Sequence, residues 1–274
     1  MTATHPPAWT RALARRFFAL WPLKAVGTTA FMVLFFHAYF WVLKNPSGEA
    51  LELPLLAPDR WVTFEPWAIY AYGWLWVYVS VAPGLLDRWR ALVRYGAWVA
   101  LMCALCLAIF WLWPTRTPVF DVDWSAYPRL AFLKGIDASS NACPSLHVAA
   151  ALHAACWLHW HLRELGAPAW TRWVSALQCV AIVWSTMAIR QHVFIDVLAG
   201  AAVGVLFAWL SIRSERAAQA RPDVIMAGDS SRASMLQRPG WSRLPAMQGQ
   251  RLCVFKPDES DMLVRAGPRM AEGA

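Results

Sequence analysis

The chain has 274 residues, of which 58% are hydrophobic and 15% charged, against roughly 45–50% and about 25% in an ordinary soluble domain. Nineteen Trp suit rings lodged in the aromatic belts of a membrane, and this composition excludes a bulk soluble enzyme. The net charge of +8 is carried mostly by arginines scattered between apolar runs, which argues against a nucleic-acid partner.

Six runs of about 20 apolar residues, the length that crosses a hydrocarbon core of about 30 Å, lie near 25–43, 67–86, 91–113, 146–164, 171–190 and 193–213. They predict an all-α fold, a polytopic membrane bundle of six transmembrane helices over 25–213. The first run follows Arg11, Arg15 and Arg16 but lacks a signal-peptide cleavage site, so it is read as a span. Residues 1–24 form a cytoplasmic segment in this reading. From 214 to 274 the composition turns to Ser, Arg, Gln, Pro and Gly, which predicts a disordered cytoplasmic tail without a core of its own.

Cytoplasmic loops retain Lys and Arg. With the N-terminus inside, twelve basic residues from Arg11 to Arg221 fall on the cytoplasmic side and six (Lys44, Arg60, Arg116, Arg129, Lys134 and Arg190) on the other. Both termini are then cytoplasmic. The connections 44–66 and 114–145 face outward, toward the periplasm if the membrane is a bacterial inner membrane.

Cys103, Cys106, Cys143, Cys156, Cys179 and Cys253 have no spacing of a disulfide framework or zinc site, and Cys103 and Cys106 are assigned to packing. Arg94, at the inner end of the third run, is expected to snorkel to the headgroups. His37, His153, His159 and His161 are assigned to packing or interfaces, because His161 would stand roughly 21 Å from His147 along one helix.

Ionisable groups inside spans are costly and hence suspect as functional. Asp196 is the only carboxylate in the central part of any run, four residues after His192 in "RQHVFIDVLAG". That spacing on one helical face lets the carboxylate hold one imidazole nitrogen and leave the other as base or nucleophile. Gly200 and Gly204 continue the stripe and invite close approach of another helix. A second histidine, His147, follows Pro144 and Ser145 in "NACPSLHVAA", where the fourth run begins. Ala150, Ala151 and Ala154 give that run a small-residue face as well.

Pro144-Ser145-Leu146-His147 followed by His192-x-x-x-Asp196 resembles the second and third signature motifs of the type-2 phosphatidic acid phosphatase superfamily, the membrane lipid phosphate phosphatases. PSLH in place of PSGH resembles the inositol phosphorylceramide synthase branch, which acts as an inositolphosphotransferase. The resemblance implies that His192 takes the phosphoryl group as a phosphohistidine, that Asp196 orients it, and that His147 protonates the leaving oxygen. It implies a lipid phosphate or phospholipid substrate, and neither cofactor nor metal. The superfamily's first motif, Lys-x6-Arg-Pro, is absent, and Ser185-Thr186 stands where the third motif opens with Ser-Arg. Arg116 in "WPTRTP" and Arg190 beside His192 are the candidate phosphate-binding cations, with Ser145 as a further contact and Arg129 or Lys134 in reserve. Hydrolysis and transfer to a hydroxyl both remain open, as does a non-catalytic carrier or scaffold that binds an anion. The oligomeric state is not legible.

Overall fold

The computed structural model describes residues 8–137, 141–235, 241–243 and 253–255. An amphipathic helix, α1 (Ala8–Phe18), precedes α2 (Trp21–Lys44), with Leu20 in the left-handed region between them. Pro22 sits in the first turn of α2, where a missing N–H is tolerated and 22 residues then follow without an interior proline. A short loop carries β1 (Leu51–Glu52) and the one-turn α3 (Ala57–Trp61). A 3-10 turn at Pro66–Ala68 leads into α4 (Ile69–Gly73) and α5 (Leu75–Gly84), and Trp74 between them keeps helical dihedrals. The predicted run at 67–86 is thus helical but tightened at its start, as Pro66 favours.

Next come α6 (Trp89–Leu112), β2 (Thr115–Arg116) and α7 (Pro128–Asp137). α8 (Leu146–Glu164), α9 (Ala169–Ala188) and α10 (Phe194–Met235) complete the helical part. Among the described residues, three helices are long and apolar enough to cross a membrane: α2, α6, and α10 over Phe194–Ala220. α2 leaves Val26, Val33, Leu34 and Trp41 exposed, an apolar surface of the kind that lipid covers.

The compact unit Met1–Glu215 has its main core where α5, α8 and α9 pack together, around Tyr78, Leu85, Trp157 and Ile182. Tyr78 spends its hydroxyl on Ser175, and Trp157 donates its indole N–H to Ser211 at 2.8 Å, so these large rings are buried with their polar atoms satisfied. His153 joins the same cluster at 3.3 Å from Ser211.

One end of this unit is tied by charge. Arg94 forks onto Oε2 of the buried Glu215, at 2.9 Å from Nε and 2.7 Å from Nη2. Arg94, expected to reach the headgroups, has this buried carboxylate as its partner. At this end Lys24 Nζ also donates to the carbonyls of Arg16 (2.7 Å) and Gly84 (2.6 Å).

At the other end β1 and β2 pair in parallel, and Thr115 bridges to Asn141. Thr115 Oγ1 accepts the Cys143 N–H at 2.8 Å, just before the cis Cys143–Pro144 bond. These short ties bring the loops after α2 and α6 to the start of α8. In the second unit, Arg216–Ala274, Trp241–Arg243 (β3) pairs antiparallel with Cys253–Phe255 (β4).

Candidate active site

The end of α9 delivers the first histidine. Arg190 N–H bonds the Met187 carbonyl and Gln191 N–H the Thr186 carbonyl, each at 3.0 Å, which is the paired pattern of a Schellman cap. The cap needs a left-handed residue, and Arg190 supplies it at φ 60°, where glycine is usual and another L residue is strained. Thr186 O also accepts the His192 N–H at 3.1 Å. Gln191 and His192 therefore leave α9 on a fixed trajectory.

α10 begins at Phe194, so His192 lies just before the helix. The expectation that His192 and Asp196 share a helical face is corrected here: capping geometry brings them together. Asp196 Oδ1 accepts the N–H of Val193 at 3.1 Å, as an acidic residue in the first turn does in a capping box. Its Oδ2 stands 3.1 Å from Nδ1 of His192. Asp59 braces the same turn, taking the N–H groups of Phe194 (2.7 Å) and Leu56 (2.8 Å) on its two oxygens.

The start of α8 delivers the second histidine. Ser145 is its N-cap and accepts the Val148 N–H at 3.3 Å, while its own N–H bonds the Asp196 carbonyl at 3.0 Å. The two helices meet without room for a side chain. A Cβ on Gly200 would strike the Ser145 carbonyl, and one on Gly204 the Ala149 carbonyl. The glycine stripe of α10 thus docks on Ser145 and Ala149, while Ala150 turns toward the cavity described below.

This approach leaves His147 Nδ1 3.3 Å from His192 Nε2. His147 Nε2 lies 2.6 Å from the hydroxyl of Tyr72 on α4. With both rings neutral, one proton assignment satisfies these three contacts. His192 donates from Nδ1 to Asp196, so its Nε2 carries a lone pair. His147 then donates from Nδ1, and its Nε2 accepts from Tyr72. The opposite tautomer of His147 would set two lone pairs against each other. The result is an unshared-pair nitrogen on His192 beside an N–H of His147, at the N-terminal ends of two helices whose dipoles favour an anion.

A cavity of about 590 Å³ reaches both histidines, and Tyr72, Thr115, Arg116, Asn141 and Gln191 also line it. Gln191 is 7% exposed and its Nε2 has no partner among the described residues. Burial pushes the neighbouring Cys143 thiol up to about 11, with the Asp196 charge adding to the effect, so it is kept protonated.

The structure brings His147, His192 and Asp196 together, with Ser145 beneath them as a buried cap. Arg116 sits on the cavity wall, half-exposed, with Nη2 3.3 Å from Glu52 Oε2. Arg190 instead points its guanidinium at the carbonyls of Val62 (3.0 Å) and Asp59 (3.4 Å) and lies 5.0 Å from the Phe120 ring centre. Arg129 bonds Tyr70 at 2.6 Å. The Lys134 side chain lies outside the described residues. No three His, Cys, Asp or Glu side chains form a metal-ligand group among the described residues. Sequence reasoning missed Tyr72, Asp59 and Gln191. Only the position of Gln191, next to His192, could have flagged one of them.

A family model described as the PAP2 superfamily matches residues 52–210. The chain belongs to this superfamily, the type-2 phosphatidic acid phosphatases, and is thereby an integral membrane protein of an enzyme family that carries out phosphatase-type phosphoryl transfer. No curated protein and no solved structure matches it.

Proposed function

We propose that the protein transfers the phosphoryl group of a lipid phosphate or phospholipid headgroup through a phosphohistidine on His192. The observation that carries this reading is the 3.1 Å contact between Asp196 Oδ2 and His192 Nδ1. It leaves Nε2 as the nucleophile of a histidine that lines the cavity.

In the reaction, an incoming phosphoryl group separates the two imidazoles. His192 Nε2 attacks phosphorus as the ester P–O bond breaks, and the imidazolium is stabilised by Asp196. His147, protonated in the substrate complex so that its Nε2–H donates to the Tyr72 hydroxyl, gives its Nδ1 proton to the departing oxygen. A water or hydroxyl acceptor then attacks the phosphohistidine and loses its proton to His147. Arg116 turns from Glu52 onto the phosphoryl oxygens, and the free amide N–H of Gln191 meets another, so that the developing charge is held by preorganised donors.

The PSLH motif favours a hydroxyl acceptor, as in an inositolphosphotransferase. The charge split across the apolar runs supports six crossings of a bacterial inner membrane, with the histidine end at the periplasm and the tail from 214 in the cytoplasm.

The test is to incubate purified protein with lipid phosphates and phosphatidyl-headgroup donors, with and without polyol acceptors, and to follow free phosphate and new lipids by mass spectrometry. Turnover in the wild type and its loss in His192→Ala support the enzyme. Tight phosphate binding without turnover of any donor would mark an anion-binding carrier or scaffold instead.

A further inference from the structure

The cavity that reaches the histidines does not stop there. It follows α2 from Phe40 back to Leu23 and Lys24, between that helix and the walls of α5 and α6. At 1.5 Å per residue this path is about 26 Å long. Apart from its histidine end and Lys24, its wall is almost wholly apolar, with Phe31, Phe35, Leu75, Val79, Gly96 and Met102 along it. Its extent along α2 suits a hydrocarbon chain laid lengthwise from the histidine end.

We propose that this groove holds a single hydrocarbon chain of the substrate, extended from the phosphoryl site toward Lys24. The proposal rests on the phosphoryl-transfer reading and deepens it by naming the substrate's tail. An extended chain advances about 1.2 Å per bond, as the polypeptide backbone does over its three bonds per residue, so the groove takes on the order of 20 carbons in line. One leaflet offers a depth of only about 15 Å, half of the hydrocarbon core. The groove is therefore matched to a chain longer than the leaflet holding the headgroup, and Lys24, tied to the carbonyls of Arg16 and Gly84, closes its far end.

The occupant is a lipid phosphate with one long chain. Gly96 has open space where a Cβ would stand, so a larger side chain there enters the deep part of the groove without displacing backbone.

The test uses single-chain alkyl phosphates of 8 and 20 carbons, each also made with a terminal diazirine, on the protein in phosphatidylcholine nanodiscs. The C20 probe should label α2 between Leu23 and Thr28 or α6 between Leu92 and Gly96, and the C8 probe should label near Tyr39 or Phe110. Gly96→Phe should lower the C20-to-C8 ratio of kcat/KM at least tenfold and remove the deep labelling. Deep labelling without turnover of either phosphate would support the groove and overturn the phosphoryl-transfer reading. Turnover with equal kcat/KM for both chains, or C20 labelling spread over the outer face of α2, would overturn the groove while leaving that reading in place.

Discussion

The hydroxyl of Tyr72 stands 2.6 Å from Nε2 of His147, and this contact fixes which nitrogen of His147 faces His192. Tyr72→Phe keeps the ring that packs against His147 and removes only the hydroxyl. Loss of a hydrogen bond worth about 1.5 kcal/mol lowers kcat about tenfold. The loss should be larger for alkyl phosphates than for p-nitrophenyl phosphate, because only the poor leaving group needs the His147 proton. Equal losses for both would mean that Tyr72 acts through packing alone.

Gly200 and Gly204 set the distance between the two histidines. Gly200→Ala forces a methyl group against the Ser145 carbonyl, and overpacking of this kind costs about 1–3 kcal/mol. Thermal unfolding in detergent should show lower stability together with a drop in activity. Gly73→Ala, with nothing near its Cβ, should leave the melting temperature unchanged or raised.

Much of this site is legible in the sequence because the groups proposed to react lie on two short segments. Residues 145–147 and 192–196 each occupy a helix start, and the motif spacing survives whatever the rest of the chain does. The reason given by spacing is nevertheless altered, since His192 precedes α10 and meets Asp196 through a capping turn. Tyr72 is hidden in "AIYAYGWLWVY", where one aromatic reads like another until the fold assigns its neighbour. Asp59 acts across 135 residues on Phe194, a separation that no local pattern encodes. The Schellman cap at Arg190 escapes notice because its usual signal, glycine, is missing.

The two candidate cations should respond differently. Arg116 is paired to Glu52 at an exposed site, where an ion pair contributes about 0–1 kcal/mol. Arg116→Ala should therefore leave stability intact while lowering kcat/KM on the order of 100-fold, with Lys restoring only part, since it lacks the planar fork. Arg190 braces the loop through Val62 and Asp59 in a left-handed backbone. Arg190→Gly should unfold at a higher temperature than Arg190→Ala, because glycine alone relieves about 1–2 kcal/mol of that strain. A reversed order would remove strain from the account.

Activity should survive EDTA. In this account the phosphoryl charge is met by Arg116, the Gln191 amide and two helix N-termini, and these need no divalent ion. Inactivation by EDTA with recovery on adding a divalent ion would contradict it.

The central claim is that His192 carries the phosphoryl group, and the direct measurement is its capture. Protein mixed with ³²P-labelled alkyl phosphate, quenched within milliseconds at alkaline pH and digested, should yield a labelled peptide containing His192, absent from His192→Ala. In His147→Ala, supplied with a substrate of good leaving group, the label should accumulate, because the acceptor then lacks its base. Turnover at the wild-type rate in His192→Ala, or label found on another residue, would contradict the account.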